Sequence, residues 1–163
     1  MKPALLVVEG PYLRDILDQP RALDATFQGL DEPEALAAIA RRLHGGELKR
    51  VVLTGMGSSH HGLVPLHLRL VEAGLAPVTV ESSELLHYQQ ALLAEGTLLV
   101  LLSQSGRSAE ILRLLETVRG RGVVTLALTN TADSPLAREA TATVLTHAGE
   151  EATVSCKTYL AAQ

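Results

Sequence analysis

The chain has 163 residues, 47% of them hydrophobic and 20% charged, and a formal net charge of −4. That is one domain's worth of globular protein. With no Lys/Arg cluster longer than Arg41-Arg42 or Lys49-Arg50, it lacks the basic stripe of a nucleic-acid binder. No apolar run reaches the ~18 residues of a membrane span, residues 1–9 are too short an apolar start for a secretory signal, and the lone cysteine, Cys156, rules out an internal disulfide and fits a cytoplasmic location.

Aromatic residues are limited to Tyr12, Phe27, Tyr88 and Tyr159, so Leu, Val, Ile and Ala must build the core, as suits a sheet packed between helices. Residues 11–44 read as helical: Leu13, Ile16 and Leu17 share one face, and Asp31-Glu32-Pro33-Glu34 opens a second helix carrying Leu36, Ile39, Ala40 and Leu43. Gly45-Gly46 ends it, which sets residues 1–45 apart as an N-terminal helical extension and residues 46–163 as an α/β domain. From there short apolar runs alternate with periodic segments. Strands are expected at 50–54, 77–80, 97–102, 123–128 and 143–146, with helices over roughly 60–73, through Tyr88, after Ser108, at Ser134-Pro135-Leu136 and from Lys157 onward. Five strands separated by helices predict a doubly wound five-stranded parallel sheet of flavodoxin-like type. Right-handed crossovers then bring every strand's C-terminal end to one rim, where ligands of such sheets bind.

Three polar segments fall on that rim. The first candidate is Ser103-Gln104-Ser105-Gly106-Arg107-Ser108, followed at once by an amphipathic helix. Backbone N–H groups and the positive end of the helix dipole favour an anion there. Serine hydroxyls donate to phosphate oxygens, and Gly106 lets the backbone close around them. No P-loop lysine follows. The second, Gly55-Met56-Gly57-Ser58-Ser59, is not a dinucleotide fingerprint, because position 60 is His60 where a third glycine would be needed. Ser58 and Ser59 are better read as the other wall of a sugar-phosphate pocket, and no cofactor is expected. His60, His61 and His67 lie at spacings that do not converge on one ion, so no metal is expected either. There is no G-x-S-x-G elbow, and Cys156 reads as a packed small residue. The third segment, Thr153-Val154-Ser155-Cys156-Lys157, would let Ser155 reach a sugar hydroxyl and Lys157 a phosphate or a carboxylate. The other reading is a further helix N-cap with Lys157 in solvent, and spacing alone leaves both open.

With these turns in hand, the chain resembles a SIS (sugar isomerase) domain. More narrowly, it is similar to the first SIS half of the isomerase module of glucosamine-6-phosphate synthase and related phosphosugar isomerases and deaminases. The residues that carry the resemblance run nearly end to end. Asp15-Ile16-Leu17-Asp18-Gln19-Pro20 looks like the module's I-x-E-Q-P opening, Gly55-Met56-Gly57-Ser58-Ser59 its glycine-serine loop, and Ser83-Glu84-Leu85 its S-E-F element. Ser103-Gln104-Ser105-Gly106-Arg107-Ser108 matches the S-Q-S-G-x-T/S signature. Asn130 with Ser134-Pro135-Leu136-Ala137, and His147-Ala148-Gly149-Glu150-Glu151 with Ser155-Cys156-Lys157, complete it.

The resemblance implies that Ser59, Ser103, Gln104, Ser105 and Ser108 hold a phosphate, with Gly57 shaping the loop. It further implies that Ser58 takes a sugar hydroxyl and that Thr153 and Ser155 line the sugar end. The ligand would be a hexose 6-phosphate or amino-hexose 6-phosphate. Arg107 stands where the synthase commonly has Glu, a form closer to the stand-alone isomerases and deaminases. In the family the proton-shuttling glutamate and the ring-opening histidine belong to the second SIS half, and no glutamate here matches that motif. The expected role is therefore phosphosugar binding within an isomerase or deaminase, by pairing with a second half or as a homodimer. The alternative is a non-catalytic sugar-phosphate sensor.

Overall fold

The computed structural model describes residues 10–152 and 154–163; the apolar start and Thr153 lie outside them. Three helices come first: α1 (Pro11–Leu17), α2 (Gln19–Gly29) and α3 (Glu34–His44). The remainder alternates strand and helix: β1 (Arg50–Gly55), α4 (Ser58–Gly62), α5 (Val64–Glu72), β2 (Val78–Glu81), α6 (Ser82–Tyr88), β3 (Thr97–Leu102), α7 (Ala109–Val118), β4 (Val124–Thr129), α8 (Pro135–Glu139), β5 (Ala142–Leu145) and α9 (Lys157–Ala161). The five strands form one sheet in the order β2-β1-β3-β4-β5, and every pairing is parallel. The doubly wound five-stranded sheet expected from the sequence is therefore the observed architecture.

Alternation along the strands divides the core in two. Val52, Leu99, Leu101 and Ala127 point to the side covered by α6, α7 and α8, where Leu85, Ile111, Leu114 and Leu136 meet them. Val51, Leu53, Leu98, Val100, Leu102 and Leu126 point to the opposite side, against Ile39 of α3 and Leu63. All six residues of β3 are buried, as a central parallel strand covered on both faces requires. A small alanine cluster, Ala22, Ala148 and Ala161, joins α2 to α9.

The expected helix over 60–73 is two helices, α4 and α5, meeting at Leu63. Pro65 in the first turn of α5 explains the break: its ring has no N–H to donate, and in a continuous helix it would clash with the carbonyl four residues back. In α1 the buried residue is Asp15, whereas Leu17, assigned from spacing to the apolar face, is 70% exposed.

The strand order reverses direction at β1. The chain steps from β1 outward to β2, then returns to the other side of β1 with β3 and proceeds to β4 and β5. The loops that follow β1 and β3 thus diverge from adjacent strand ends, Gly55 being paired with Leu102. This is the switch point at which such sheets hold ligands.

Candidate functional site

Glycines shape the first loop. A Cβ on Gly55 would come 2.9 Å from the His60 nitrogen and 3.0 Å from the Leu102 carbonyl oxygen, all backbone atoms, so the loop can fold over β3 only if residue 55 is glycine. Gly57 has φ +51°, and its N–H donates to Glu81 Oε1 (3.2 Å) at the end of β2. Ser58 and Ser59 follow in the first turn of α4.

The second loop is more tightly built. Ser103, only 3% exposed, donates its N–H to the Leu128 carbonyl (3.0 Å) and so is pinned to β4. Its Oγ accepts from the Gly106 N–H (3.2 Å) and lies 3.2 Å from Ser108 Oγ. Ser105 Oγ accepts from the Arg107 N–H (3.3 Å). Gly106 has φ +61°, and a Cβ there would lie 2.3 Å from Ser134 Oγ. Ser134 cannot withdraw, being fully buried and capping α8 through the Ala137 N–H. The Gln104 carbonyl is held by the Asn130 N–H (3.1 Å) and the hydroxyls of Thr129 and Thr131, and the residue lines the crevice between the loops. Ser108 occupies the N-cap position of α7 but its side chain makes no cap bond. The N–H groups opening this ten-residue helix are therefore left to another acceptor.

The third segment follows β5. Asn130 braces it, donating to the Gly149 carbonyl (2.8 Å) and accepting from the Ala148 N–H (2.8 Å) and the Thr146 hydroxyl (3.1 Å). His147 adopts φ +51°, with its ring so close over Gly29 that a Cβ there would come within 2.6 Å of it. Glu151 Oε1 accepts from the N–H groups of Cys156 (2.7 Å) and Lys157 (2.9 Å), and its Oε2 accepts from the Thr158 hydroxyl. Partial burial pushes the Glu151 carboxyl up, but the hydrogen bonds from Thr158, Cys156 and Lys157 outweigh it and hold the group below its ordinary value. Burial, then the neighbouring Glu151, push the Cys156 thiol up.

Lys157 settles between the readings the sequence left open. It is neither solvated nor at the pocket: its side chain is 5% exposed, with Nζ 2.9 Å from Asp18 Oδ2 and 3.4 Å from Asp15 Oδ1. The partner is a carboxylate, but one of the chain's own. Asp15 Oδ2 also accepts from the Ala152 N–H (3.1 Å), and Arg21 grips Asp18 through two nitrogens at 2.6 and 2.7 Å. Arg21 foremost, then Lys157, hold the Asp18 carboxyl far below the carboxylate range, and Asp18 foremost raises Lys157.

Between the loops lies a narrow crevice. The structure brings Ser58, Ser59, Gln104 and Ser155 to its lining, together with Thr129, Asn130, Thr146, Thr158 and Tyr159. Ser103, Ser105 and Ser108 are not among its lining residues; they are engaged with one another and with backbone N–H groups. Thr153 lies outside the described residues. Thr129 and Thr158 were not singled out from the sequence. Thr129 ends β4 and obeys the rule that pointed to Ser103, a polar residue at the C-terminal end of a central parallel strand. The exposed Arg107 meets Asp133 at 3.8 Å, and among the described residues no group of three His, Cys, Asp or Glu side chains is placed to hold a metal. His67 instead bonds Thr79 of β2 (2.9 Å). Hydroxyls, amides and a helix N-terminus are the groups such a crevice offers to an anion.

A doubly wound parallel sheet with serine-rich turns at its switch point defines a class of small-molecule-binding α/β domain. Residues 47–162 match the family description of the SIS domain, and the chain belongs to that family. It is 38% identical over 151 residues to glutamine–fructose-6-phosphate aminotransferase (isomerizing) of Aeropyrum pernix, a match covering 91% of this chain and 24% of the relative. It is 33% identical over 152 residues to the enzyme of that name from Pyrobaculum aerophilum, covering 91% and 25%. The chain thus spans about a quarter of the length of these curated relatives. Among solved structures, the C-terminal domain of glucosamine-fructose-6-phosphate aminotransferase from Francisella tularensis superposes with a TM-score of 0.80 at 23% identity, covering 96% of this chain and 45% of that one, and so shares the fold.

Proposed function

We propose that the crevice binds a hexose 6-phosphate or amino-hexose 6-phosphate, as the first SIS half of a phosphosugar isomerase or aminosugar-phosphate deaminase. The observation that carries this reading is the opening turn of α7, where Ser108 turns its hydroxyl to Ser103 and makes no cap bond. A phosphate seated there would take the helix N–H groups and the hydroxyls of Ser59, Ser103, Ser105 and Ser108, with the Gln104 amide beside it. Gly57 gives its loop the turn that brings Ser58 to the sugar, and Thr153 and Ser155 complete the sugar end. The names of the relatives, which contain fructose 6-phosphate, support the ligand class.

On this reading residues 46–163 are the binding domain and residues 1–45 a helical extension. The chain supplies orientation, holding the phosphate so that C1 and C2 sit beside a carboxylate contributed by a second SIS half. Pairing with such a half, or with a second copy, is supported by Val64, Leu68 and Val71, exposed along one stripe of α5. A net charge of −4 suits a metabolite-binding protein of the cytoplasm better than one acting on nucleic acid, and no helix among the described residues is long and apolar enough to cross a membrane.

Calorimetry against glucose, fructose and glucosamine 6-phosphates and their unphosphorylated sugars tests the reading. Tight binding of the phosphates alone is expected, abolished by Ser103→Ala with Ser105→Ala in a protein that still melts cooperatively. Equal affinity with and without phosphate would overturn it.

A further inference from the structure

The wall of the crevice carries a directed chain of hydroxyls. An ionised carboxylate only accepts hydrogen bonds, and Glu151 is held in that form below its ordinary pKa. The Thr158 proton is therefore committed to Glu151 Oε2. Ser155 Oγ lies 3.0 Å from Thr158 Oγ1, and with the Thr158 proton already given away, the proton of that second bond must come from Ser155. Ser155 is then left with lone pairs and no proton for the crevice that it lines with Thr158. The same carboxylate sets the backbone here. Helix α9 has five residues, too few to hold itself, its N-cap residue Cys156 makes no side-chain cap bond, and Glu151 caps it from outside by accepting from Cys156 and Lys157.

We infer that Glu151 is a positioning residue that sets the polarity of the Thr158–Ser155 pair, making Ser155 an acceptor for a hydroxyl or amino group of the sugar and a poor partner for phosphate oxygens. The inference rests on the phosphosugar reading of the crevice and sharpens it. The 103–108 turn recognises the anion, and the Glu151 relay recognises a donor on the sugar and rejects a phosphate placed the wrong way round.

Glu151→Gln separates polarity from shape. Its Oε1 can still cap α9, but its Nε2 can only donate. Thr158 must then turn its proton toward Ser155, and Ser155 points its own into the crevice. Calorimetric titration of the full chain with fructose 6-phosphate and, separately, with inorganic phosphate reads the result. The sugar phosphate is expected to lose about tenfold in affinity, as for one well-placed hydrogen bond reversed, while inorganic phosphate changes less than about twofold. Thr158→Val, which removes the relay without touching the cap, is expected to weaken the sugar phosphate selectively as well, and it decides the matter if Glu151→Gln does not fold. Equal change for both ligands, or for neither, overturns the inference. If the unaltered protein itself fails to prefer sugar phosphates to sugars, the reading of the crevice falls first, and the two failures are told apart by that control.

Discussion

The 103–108 turn, through Gln104, and the 146–158 segment, through Thr146, Ser155 and Thr158, border one crevice but are held by different forces. The turn is held by neutral groups: Ser103, Ser105, Gly106 and Ser108 bond within six residues, and Leu128, Thr129, Asn130 and Thr131 at the end of β4 bond to it from the side. The segment after β5 is ionic and long-range. Glu151 caps it from within, while Lys157, Asp15 and Asp18 tie it across about 140 residues to the first helices. Backbone geometry therefore preserves the turn regardless of pH or salt, whereas the wall depends on charge states. Each half can be broken without the other, and the two should fail differently.

The largest effect is expected at Gly106→Ala. Any Cβ there meets Ser134, which is buried and committed to capping α8, and φ +61° adds its own strain. We expect a loss of about 3 kcal/mol in stability in thermal or urea denaturation, with ligand binding lost as well. A variant of unchanged stability would show the turn to be looser than its contacts imply.

Lys157→Met tests the wall. It removes the buried ammonium that Asp15, 8% exposed in its side chain, shares with Asp18, while Arg21 still holds Asp18. A cost of about 2–3 kcal/mol is expected, below that of a deeply buried pair because Asp18 is partly open to solvent. The pH profile carries the same information. The folded-state pKa values of Asp18 and Glu151 are depressed, so their contributions are complete above the unfolded values of 3.8 and 4.5 and fade as pH falls toward the depressed ones. Lys157 is raised, so its contribution is complete below 10.5 and is lost as pH climbs through the higher folded value. Melting temperature should therefore decline on both sides, and in Lys157→Met the acid decline should flatten, because Lys157 contributes to the depression of Asp18. An acid limb identical in the two proteins would remove Lys157 from the account.

The same contrast governs what could be read from the sequence. Strands β1 to β5 were legible because apolar runs of four to six residues separated by helical periodicity have few other interpretations, and the 103–108 turn because its serines and glycine stand together in the chain, although its bonds to Leu128, Thr129, Asn130 and Thr131 were not. Asp15 and Lys157 were not. Helical spacing favours turning Leu17 inward, whereas the buried position belongs to Asp15, whose partner sits 142 residues away. Thr158 escaped notice because its value comes from Glu151 and Ser155, a relation visible only once α9 is capped from outside. Local chemistry is written in contiguous residues; a long-range ionic tie leaves two unremarkable charges.

Arg107 offers the smallest effect and the sharpest check on the neutral half. It is the cation within the turn, yet its guanidinium lies 3.8 Å from Asp133, with side chains 54% and 84% exposed. Such a pair contributes at most about 0.5 kcal/mol, so Arg107→Ala should leave the melting temperature within about 1–2 °C. If hydroxyls and helix N–H groups carry the phosphate, affinity for a sugar phosphate should fall by less than about threefold in the same variant, the loss of one screened, solvent-exposed charge. The salt dependence of binding should be equally shallow before and after. A tenfold loss that vanishes in high salt would mean that Arg107 leaves Asp133 to grip the phosphate, and the turn would then be as ionic as the wall it faces.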